Sequence, residues 1–159
     1  KYFFTQDVDH NPNEHTVSTK YTIINKEVVS IRSAHKTSLG GVIKVSHDSI
    51  FNVNGFPNNI WGWGIEDRAL HFRYCIRKID IINNLSGCVF HRTPHKSNAV
   101  KYTGEKEKIS NKWTEPYISI LDDTKREELI LDSGLNNLKY NIIERKVIHN
   151  IVELIKVDI

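Results

Sequence analysis

Residues 54–68 read NGFPNNIWGWGIEDR, a stretch that contains two tryptophans, three glycines and a Glu-Asp pair. The segment NGFPNN has the composition of a turn. Trp61 and Trp63 admit three interpretations: part of the core, a protein-binding patch, or rings that stack on a sugar. The neighbouring glycines, Gly62 and Gly64, leave open space beside the rings and give the backbone freedom to move. This combination of tryptophans and glycines therefore favours a binding site over a place in the core.

The residues after the tryptophans predict a helix. Ala69, Phe72, Ile76 and Ile79 recur at spacings of three and four, which is typical of one apolar helical face, with the basic residues placed elsewhere. Residues 66–67, Glu-Asp, then lie at the helix N-terminus. Acids at this position stabilise a helix by up to about 1 kcal/mol, so a good helix start is the alternative reading of the pair.

The remaining pattern interleaves strands with helices, which indicates an α/β or α+β fold. Ser46 is a suitable N-cap for a short helix that Gly55 ends. We expect Ser97 to Trp113 to form a loop. A helix is predicted over Thr124–Leu131. Strands are predicted at Tyr2–Phe4 (the end of a buried strand), Val42–Val45, Tyr140–Ile143 and Ile151–Ile159, with Tyr21–Ile24 and Val28–Ile31 forming a hairpin.

Composition sets broader limits. The chain has 159 residues, enough for one domain, and a net charge of +3 with scattered Lys and Arg, which does not favour nucleic-acid binding. It contains no long apolar run of membrane-spanning length, and two cysteines indicate no disulfide framework. There is no Met, even at position 1, so we expect residues 1–159 to be a single unit excerpted from a longer protein.

Several side chains are candidates for metal binding. Asp7 and Asp9 follow an apolar strand and, in extended backbone, face the same side, so both can approach one hard cation; a solvated turn is the alternative. His91 and His95 are four apart, but the intervening Pro94 disfavours a helical zinc pair. Cys88 is either a thiolate ligand or a small buried group.

Four segments, taken in chain order, resemble the β-1,4-galactosyltransferase family. Residues 54–68 are similar to the family's highly specific signature, NGFPNN-x-WGWGGEDDD. FFTQDVDHNP at 3–12 resembles its strand ending in D-V-D, and LGGVIKVSHDSIFNVNGF at 39–56 resembles its Gly-Gly-Val strand and following helix. Residues 133–159 resemble its GLN-x-L-x-Y segment and closing V-D-I strand.

The resemblance implies the C-terminal portion of a GT-A fold, a mixed sheet with flanking helices, without the N-terminal nucleotide-binding part. It also implies an inverting transfer of a galactose-type sugar from a UDP-sugar to a carbohydrate hydroxyl. Asp67 would be the catalytic base and Glu66 would assist it. By the same resemblance Mn²⁺ would be held by Asp9, His91 and Cys88.

Donor and acceptor contacts follow from the same resemblance. They would come from Asp7, Trp61, Trp63, Gly64, Arg68 and Ser38, with Trp63 against the sugar and diphosphate. Three features depart from the family pattern. Arg68 replaces an acceptor-binding Asp and would suit an acidic or differently linked acceptor. Ile65 replaces a Gly. Ser38-Leu39 stand where the family often has aromatic residues, and a smaller side chain there would admit a bulkier donor such as an N-acetylated sugar.

Two other classes of function stay open. One is a non-catalytic sugar-binding or scaffolding relative, motivated by Arg68, Ile65 and the absent N-terminal half. The other is an α/β domain with a Trp-lined protein interface. Richness in Ile, Asn and Lys favours a microbial or viral source and a cytoplasmic location, whereas animal members of the family lie in the Golgi lumen.

Overall fold

The computed structural model describes residues 1–7, 10–22, 26–33, 35–59, 66–83, 89–92, 123–148 and 152–158. The strands are β1 (Tyr2–Gln6), β2 (His10–Pro12), β3 (Val28–Arg32), β4 (Val42–Ser46), β5 (Ile81–Asn83), β6 (Phe90–Arg92), β7 (Asn141–Ile148) and β8 (Val152–Asp158). The helices are α1 (Glu14–Thr16), α2 (His47–Asn52), α3 (Glu66–Ile76) and α4 (Asp123–Asp132), with a π-helical turn at Val17–Tyr21 and a 3₁₀ turn at Leu135–Asn137.

A four-stranded mixed sheet organises the described residues, in the order β1-β4-β3-β5. β4 is antiparallel to both β1 and β3, whereas β3 and β5 run parallel. Two further pairs, β2 with β6 and β7 with β8, are antiparallel. The predicted α/β class with a mixed sheet and flanking helices is confirmed.

The core lies on both faces of this sheet, because the central strands β3 and β4 carry apolar side chains on both sides. One face packs against α2 and α3. It buries Val28, Leu39, Ile43, Val45, Val53, Leu70 and Tyr74. The other face is smaller and buries Val29, Ile31 and Val42 beneath Tyr21 and Phe90. The sheet therefore fixes where the first turn of α3 lies.

The N-cap prediction for α2 is confirmed. The Ser46 hydroxyl accepts a hydrogen bond from the Ser49 backbone N–H at 3.1 Å, and the helix begins at the next residue. At the other end the Gly55 N–H donates to the Ile50 carbonyl at 2.8 Å, with Gly55 in the left-handed region at φ 67°.

Helix α3 is confirmed, but its predicted apolar face is only partly correct. Ala69 is buried as predicted and Ile79 packs against the core, whereas Phe72 is only half-buried. The other buried residues of the helix are Leu70, Arg73 and Tyr74. The spacing pattern placed Arg73 away from the core. The structure buries it fully, because backbone carbonyl groups of two loops surround its guanidinium.

Two strand predictions also need correction. The hairpin between 21–24 and 28–31 is wrong: β3 is paired on both edges, with β4 and with β5, and Tyr21 belongs to a π-helical turn. The strand at Tyr2–Phe4 is confirmed, but it is exposed rather than buried, because β1 is an edge strand of the sheet.

The C-terminal predictions are confirmed, since α4 covers 124–131 and the two closing strands form the β7–β8 pair. The predicted loop at 97–113 lies outside the described residues. In the part of the chain that the structure describes, no helix is long and apolar enough to cross a membrane.

Candidate active site

Two adjacent acids open helix α3 at the end of the sheet. Glu66 and Asp67 are its first two residues, as predicted. The Asp67 carbonyl accepts a hydrogen bond of 3.1 Å from the Leu39 N–H, so the first turn of the helix is fastened to the segment that enters β4. The acids are thus held by backbone contacts as well as by the helix.

The glycine pair at 40–41 lies between two acid-bearing segments. On one side the Asp67 carboxylate rests against Gly40 so closely that a β-carbon at position 40 would lie 2.6 Å from Asp67 Cγ. On the other side the Asp7 N–H donates to the Gly41 carbonyl at 2.8 Å. Residues 39–41 therefore bring Asp7, which follows β1, towards the start of α3.

This concentration of negative charge changes the acidity of Asp67. Burial of the carboxyl, together with the negative charges of Glu66 and Asp7, raises its pKa from 3.8 to about 6. A carboxylate with a pKa near neutrality is a stronger base than an ordinary aspartate, and still ionises at physiological pH. Asp67 therefore has the electrostatic character of a general base.

Glu66 adds an unused acceptor. Its Oε2 atom is shielded from solvent and has no hydrogen-bond partner among the described residues. A buried carboxylate oxygen without a donor costs free energy, so a ligand hydroxyl that donates to it would be stabilised there.

His91 is placed by strand pairing. β2 begins one residue after Asp9, and it pairs antiparallel with β6 so that Asn11 lies opposite His91. The two chain segments predicted to bind a metal are therefore neighbours. His91 is exposed, which leaves its ring accessible to a ligand.

Ser38 and Arg68 flank the acids in sequence and structure. Ser38 is buried, and its hydroxyl accepts a hydrogen bond of 3.4 Å from the Gly40 N–H. Its carbonyl accepts a bond of 2.8 Å from the Ser33 hydroxyl, so Ser38 shapes the turn before Gly40. Arg68 is half-buried in the first turn of α3, directly after the acidic pair.

The other predicted site residues, Asp9, Trp61, Trp63, Gly64 and Cys88, lie outside the described residues, as do Ile65 and His95. Among the residues that are described, no group of three or more His, Cys, Asp or Glu side chains is arranged to hold a metal ion. The structure thus assembles Asp7, Glu66, Asp67 and the 38–41 turn, and brings the strand of His91 beside the strand that follows Asp9.

The role of the asparagines in NGFPNN was not predicted from the sequence. The Asn54 side chain donates to the Ile130 carbonyl at 2.8 Å, and its Oδ1 accepts from the Asn136 N–H at 2.8 Å. Asn58 donates to the Gly134 carbonyl at 3.1 Å, and Asn59 Oδ1 accepts from the Ser133 hydroxyl at 2.8 Å. The NGFPNN turn is therefore bound to residues 130–137.

Arg73, on helix α3, also joins the NGFPNN turn to residues 130–137. Its guanidinium donates to the Asn54 carbonyl at 3.2 Å, the Gly55 carbonyl at 3.0 Å and the Ser133 carbonyl at 2.7 Å. One sequence signal was available: Asn before Gly is typical of positive φ, and Asn54 has φ 59°. No local pattern marks Arg73 as buried.

Relatives of this chain are known. A family model described as the N-terminal domain of galactosyltransferase matches residues 22–100. β-1,4-galactosyltransferase 4 of Rattus norvegicus is 35% identical over 85 residues, which cover 50% of this chain and 25% of that protein. β-1,4-galactosyltransferase 1 of Bos taurus is 25% identical over 138 residues, or 86% of this chain and 31% of that protein. The chain thus spans about a quarter to a third of the length of these relatives.

Solved structures show the same fold. A mutant of Drosophila β-1,4-galactosyltransferase 7 in complex with manganese, UDP-Gal and xylobiose aligns with a TM-score of 0.60 at 16% identity, covering 98% of this chain and 66% of that one. The catalytic domain of the same Drosophila enzyme with xylobiose aligns equally well, at 18% identity. The predicted resemblance to the galactosyltransferase family is confirmed in sequence and in fold.

Proposed function

We propose that this protein is a metal-dependent, inverting glycosyltransferase that moves a galactose-type sugar from a UDP-sugar to a carbohydrate hydroxyl. One observation carries the proposal: Asp67, at the start of α3, has a pKa raised to about 6 by burial and by the charges of Glu66 and Asp7. The similarity to galactosyltransferases supports the reaction class. The Drosophila structure, which holds UDP-Gal and xylobiose, supports the classes of donor and acceptor.

The transfer reaction requires a base beside the acceptor hydroxyl, and Asp67 would supply it. The acceptor hydroxyl oxygen forms a bond to the anomeric carbon while the bond from that carbon to the UDP oxygen breaks. The hydroxyl proton passes to the Asp67 carboxylate, and UDP leaves with the bonding electron pair. Attack from the face opposite to the leaving group inverts the configuration. Glu66, through its unpartnered Oε2, would accept a hydrogen bond from another acceptor hydroxyl and orient the sugar.

The residues of this chain fit a divalent cation. Asp9, His91 and Cys88 would hold it, and the β2–β6 pairing supports this set because it brings the His91 strand beside the residues that follow Asp9. Manganese is bound in the Drosophila neighbour. When bound, such a cation offsets the negative charge that builds on the leaving diphosphate. A sulfur ligand at Cys88 would make the site softer than one built from oxygen and nitrogen alone.

The remaining contacts follow the family pattern. Trp61, Trp63 and Gly64 would line the donor and acceptor sugars, and Asp7 would lie on the donor side of the site. Arg68, immediately after the acidic pair, places a positive charge beside the acceptor. It favours an acidic or differently linked saccharide over N-acetylglucosamine.

Calorimetric titration of UDP, with and without Mn²⁺, tests the donor and metal parts of the proposal. We expect UDP binding only with the metal, and its loss in Asp9→Ala. His47→Ala is the matched control, because His47 begins α2 and pairs with Asp48 rather than with the site. UDP-independent binding of saccharide, unaffected by metal or by Asp9→Ala, would instead identify a non-catalytic sugar-binding relative.

A further inference from the structure

Gly40 has no backbone reason to be glycine. The described glycines with positive φ are Gly41, Gly55 and Gly134, and Gly40 is not among them. An L-amino acid at position 40 would therefore adopt the observed backbone without strain. What glycine supplies at this position is space rather than conformational freedom.

That space is occupied by one side chain. The three atoms nearest to a β-carbon at position 40 all belong to Asp67: its two carboxylate oxygens and Cγ. Ordinary van der Waals contact begins at about 3.4 Å, whereas Cγ would lie 2.6 Å away. A methyl group at position 40 and the Asp67 carboxylate cannot both occupy their present places.

The backbone around this contact is held on both sides. The Leu39 N–H donates to the Asp67 carbonyl at 3.1 Å, which keeps the first turn of α3 from moving away from Gly40. The Asp7 N–H donates to the Gly41 carbonyl at 2.8 Å, which fixes the other end of the glycine pair. The carboxylate is the part that is able to move, because rotation about its side-chain bonds breaks neither hydrogen bond.

We propose that Gly40 is a positioning residue for the Asp67 carboxylate: because Gly40 has no β-carbon, the carboxylate of the base can pack directly against its α-carbon. The proposal rests on the assignment of Asp67 as the base in the proposed function. It makes the glycine of the strand entry part of the catalytic geometry, although Gly40 itself needs no contact with either substrate.

The consequence for Gly40→Ala is specific. The new methyl group displaces the carboxylate by about 1 Å, and a misplacement of that size typically costs about 100-fold in rate. The effect falls on kcat rather than on KM, because substrate contacts are unchanged. The fold tolerates the substitution, since the obstructing group is the end of a side chain.

A double-mutant cycle tests this in the full-length protein, using UDP-galactose, Mn²⁺ and a saccharide acceptor. We expect Gly40→Ala to lower kcat by about 30- to 100-fold with an unchanged thermal midpoint. Added to Asp67→Asn, it should lower the residual rate by less than about twofold, since both changes act through one carboxylate. A full additional loss in the Asp67→Asn background, or a kcat for Gly40→Ala within twofold of wild type, would overturn the proposal.

Two further measurements separate the possible causes of failure. Gly41→Ala is the control for damage to the turn: Gly41 has φ 81°, and a β-carbon there would lie 2.5 Å from the Arg32 carbonyl oxygen, so this variant should lose stability. The ¹³C titration of the Asp67 carboxyl group needs no turnover. If wild type transfers no sugar, the proposed function fails. The seating of Asp67 is then supported if Gly40→Ala lowers its apparent pKa, and overturned if the titration is unchanged.

Discussion

Arg73 and Ser133, sixty residues apart, are joined by a hydrogen bond of 2.7 Å from the Arg73 Nη2 atom to the Ser133 carbonyl oxygen. The same guanidinium donates to the carbonyl groups of Asn54 and Gly55. A fully buried arginine on α3 thus ties the NGFPNN turn to the end of α4. The helix that presents Glu66 and Asp67 at one end is fixed at this point, two turns further on.

Substitution of Arg73 should therefore be costly. We expect Arg73→Met to lower the free energy of unfolding by about 3 kcal/mol, because several buried carbonyl groups lose their donor. Arg73→Lys should recover little, since an ammonium group cannot reproduce the planar fork. Arg77→Ala is the control: its ion pair with Glu127 is partly exposed and should contribute about 1 kcal/mol or less. Urea denaturation that finds equal losses for Arg73→Met and Arg77→Ala would contradict this role.

Asn54 combines a backbone requirement with a side-chain requirement. Asn54→Ala should destabilise the protein by about 3 kcal/mol, since it removes buried hydrogen bonds and places alanine at φ 59°. Asn54→Gly should cost about 1 kcal/mol less, because glycine adopts positive φ freely. Asn52→Ala, at an exposed position two residues earlier, should be close to neutral. Equal effects of the alanine and glycine substitutions at position 54 would exclude a contribution from the backbone.

The raised pKa of Asp67 predicts a stability cost that depends on pH. Because folding raises this pKa from 3.8 to about 6, the ionised carboxyl destabilises the folded state above pH 6, and the penalty disappears below pH 3.8. Asp67→Asn should therefore stabilise the protein by about 1–2 kcal/mol near pH 8. The full shift corresponds to about 3 kcal/mol, which partial exposure and the helix dipole reduce. If Asp67→Asn gains no more unfolding free energy at pH 8 than at pH 4, the ionised Asp67 carboxylate is not destabilised by burial and neighbouring charges.

The same group should set the acid limb of the rate profile. The base must be ionised to accept a proton, so kcat/KM should rise about tenfold per pH unit below pH 6 and become flat above it. Glu66→Gln removes one of the neighbouring charges that raise the Asp67 pKa, and should move the limb to lower pH even if the maximal rate falls. Steady-state rates from about pH 4.5 to 8 give both positions. A limb that stays in place in Glu66→Gln would assign it to another group.

Local signals explain what the sequence predicted correctly. Ser46 as an N-cap, Gly55 after α2, the β-branched run of β4 and the acids at the start of α3 are each determined by a few adjacent residues. The family signature likewise pointed to Glu66 and Asp67. These elements needed no knowledge of the rest of the chain.

The parts that failed depend on distant contacts. The burial of Arg73 follows from loops that close around it from residues 53–55 and 133, and a hydropathy pattern reads arginine as exposed. The predicted hairpin before β3 was wrong because β4 and β5 pair with the two edges of that strand and leave neither edge for residues 21–24. The seating of Asp67 on Gly40 joins residues 27 positions apart, and no spacing rule reveals it.

Transfer of labelled galactose from UDP-galactose to a panel of neutral and acidic saccharides, with Mn²⁺ present, tests the central claim most directly. The full-length wild type and its Asp67→Asn and Asn52→Ala variants should be compared at neutral pH. The account predicts transfer by wild type and by Asn52→Ala, and a loss of about 1,000-fold or more in Asp67→Asn, with UDP binding retained. Transfer by Asp67→Asn at the wild-type rate would contradict the account.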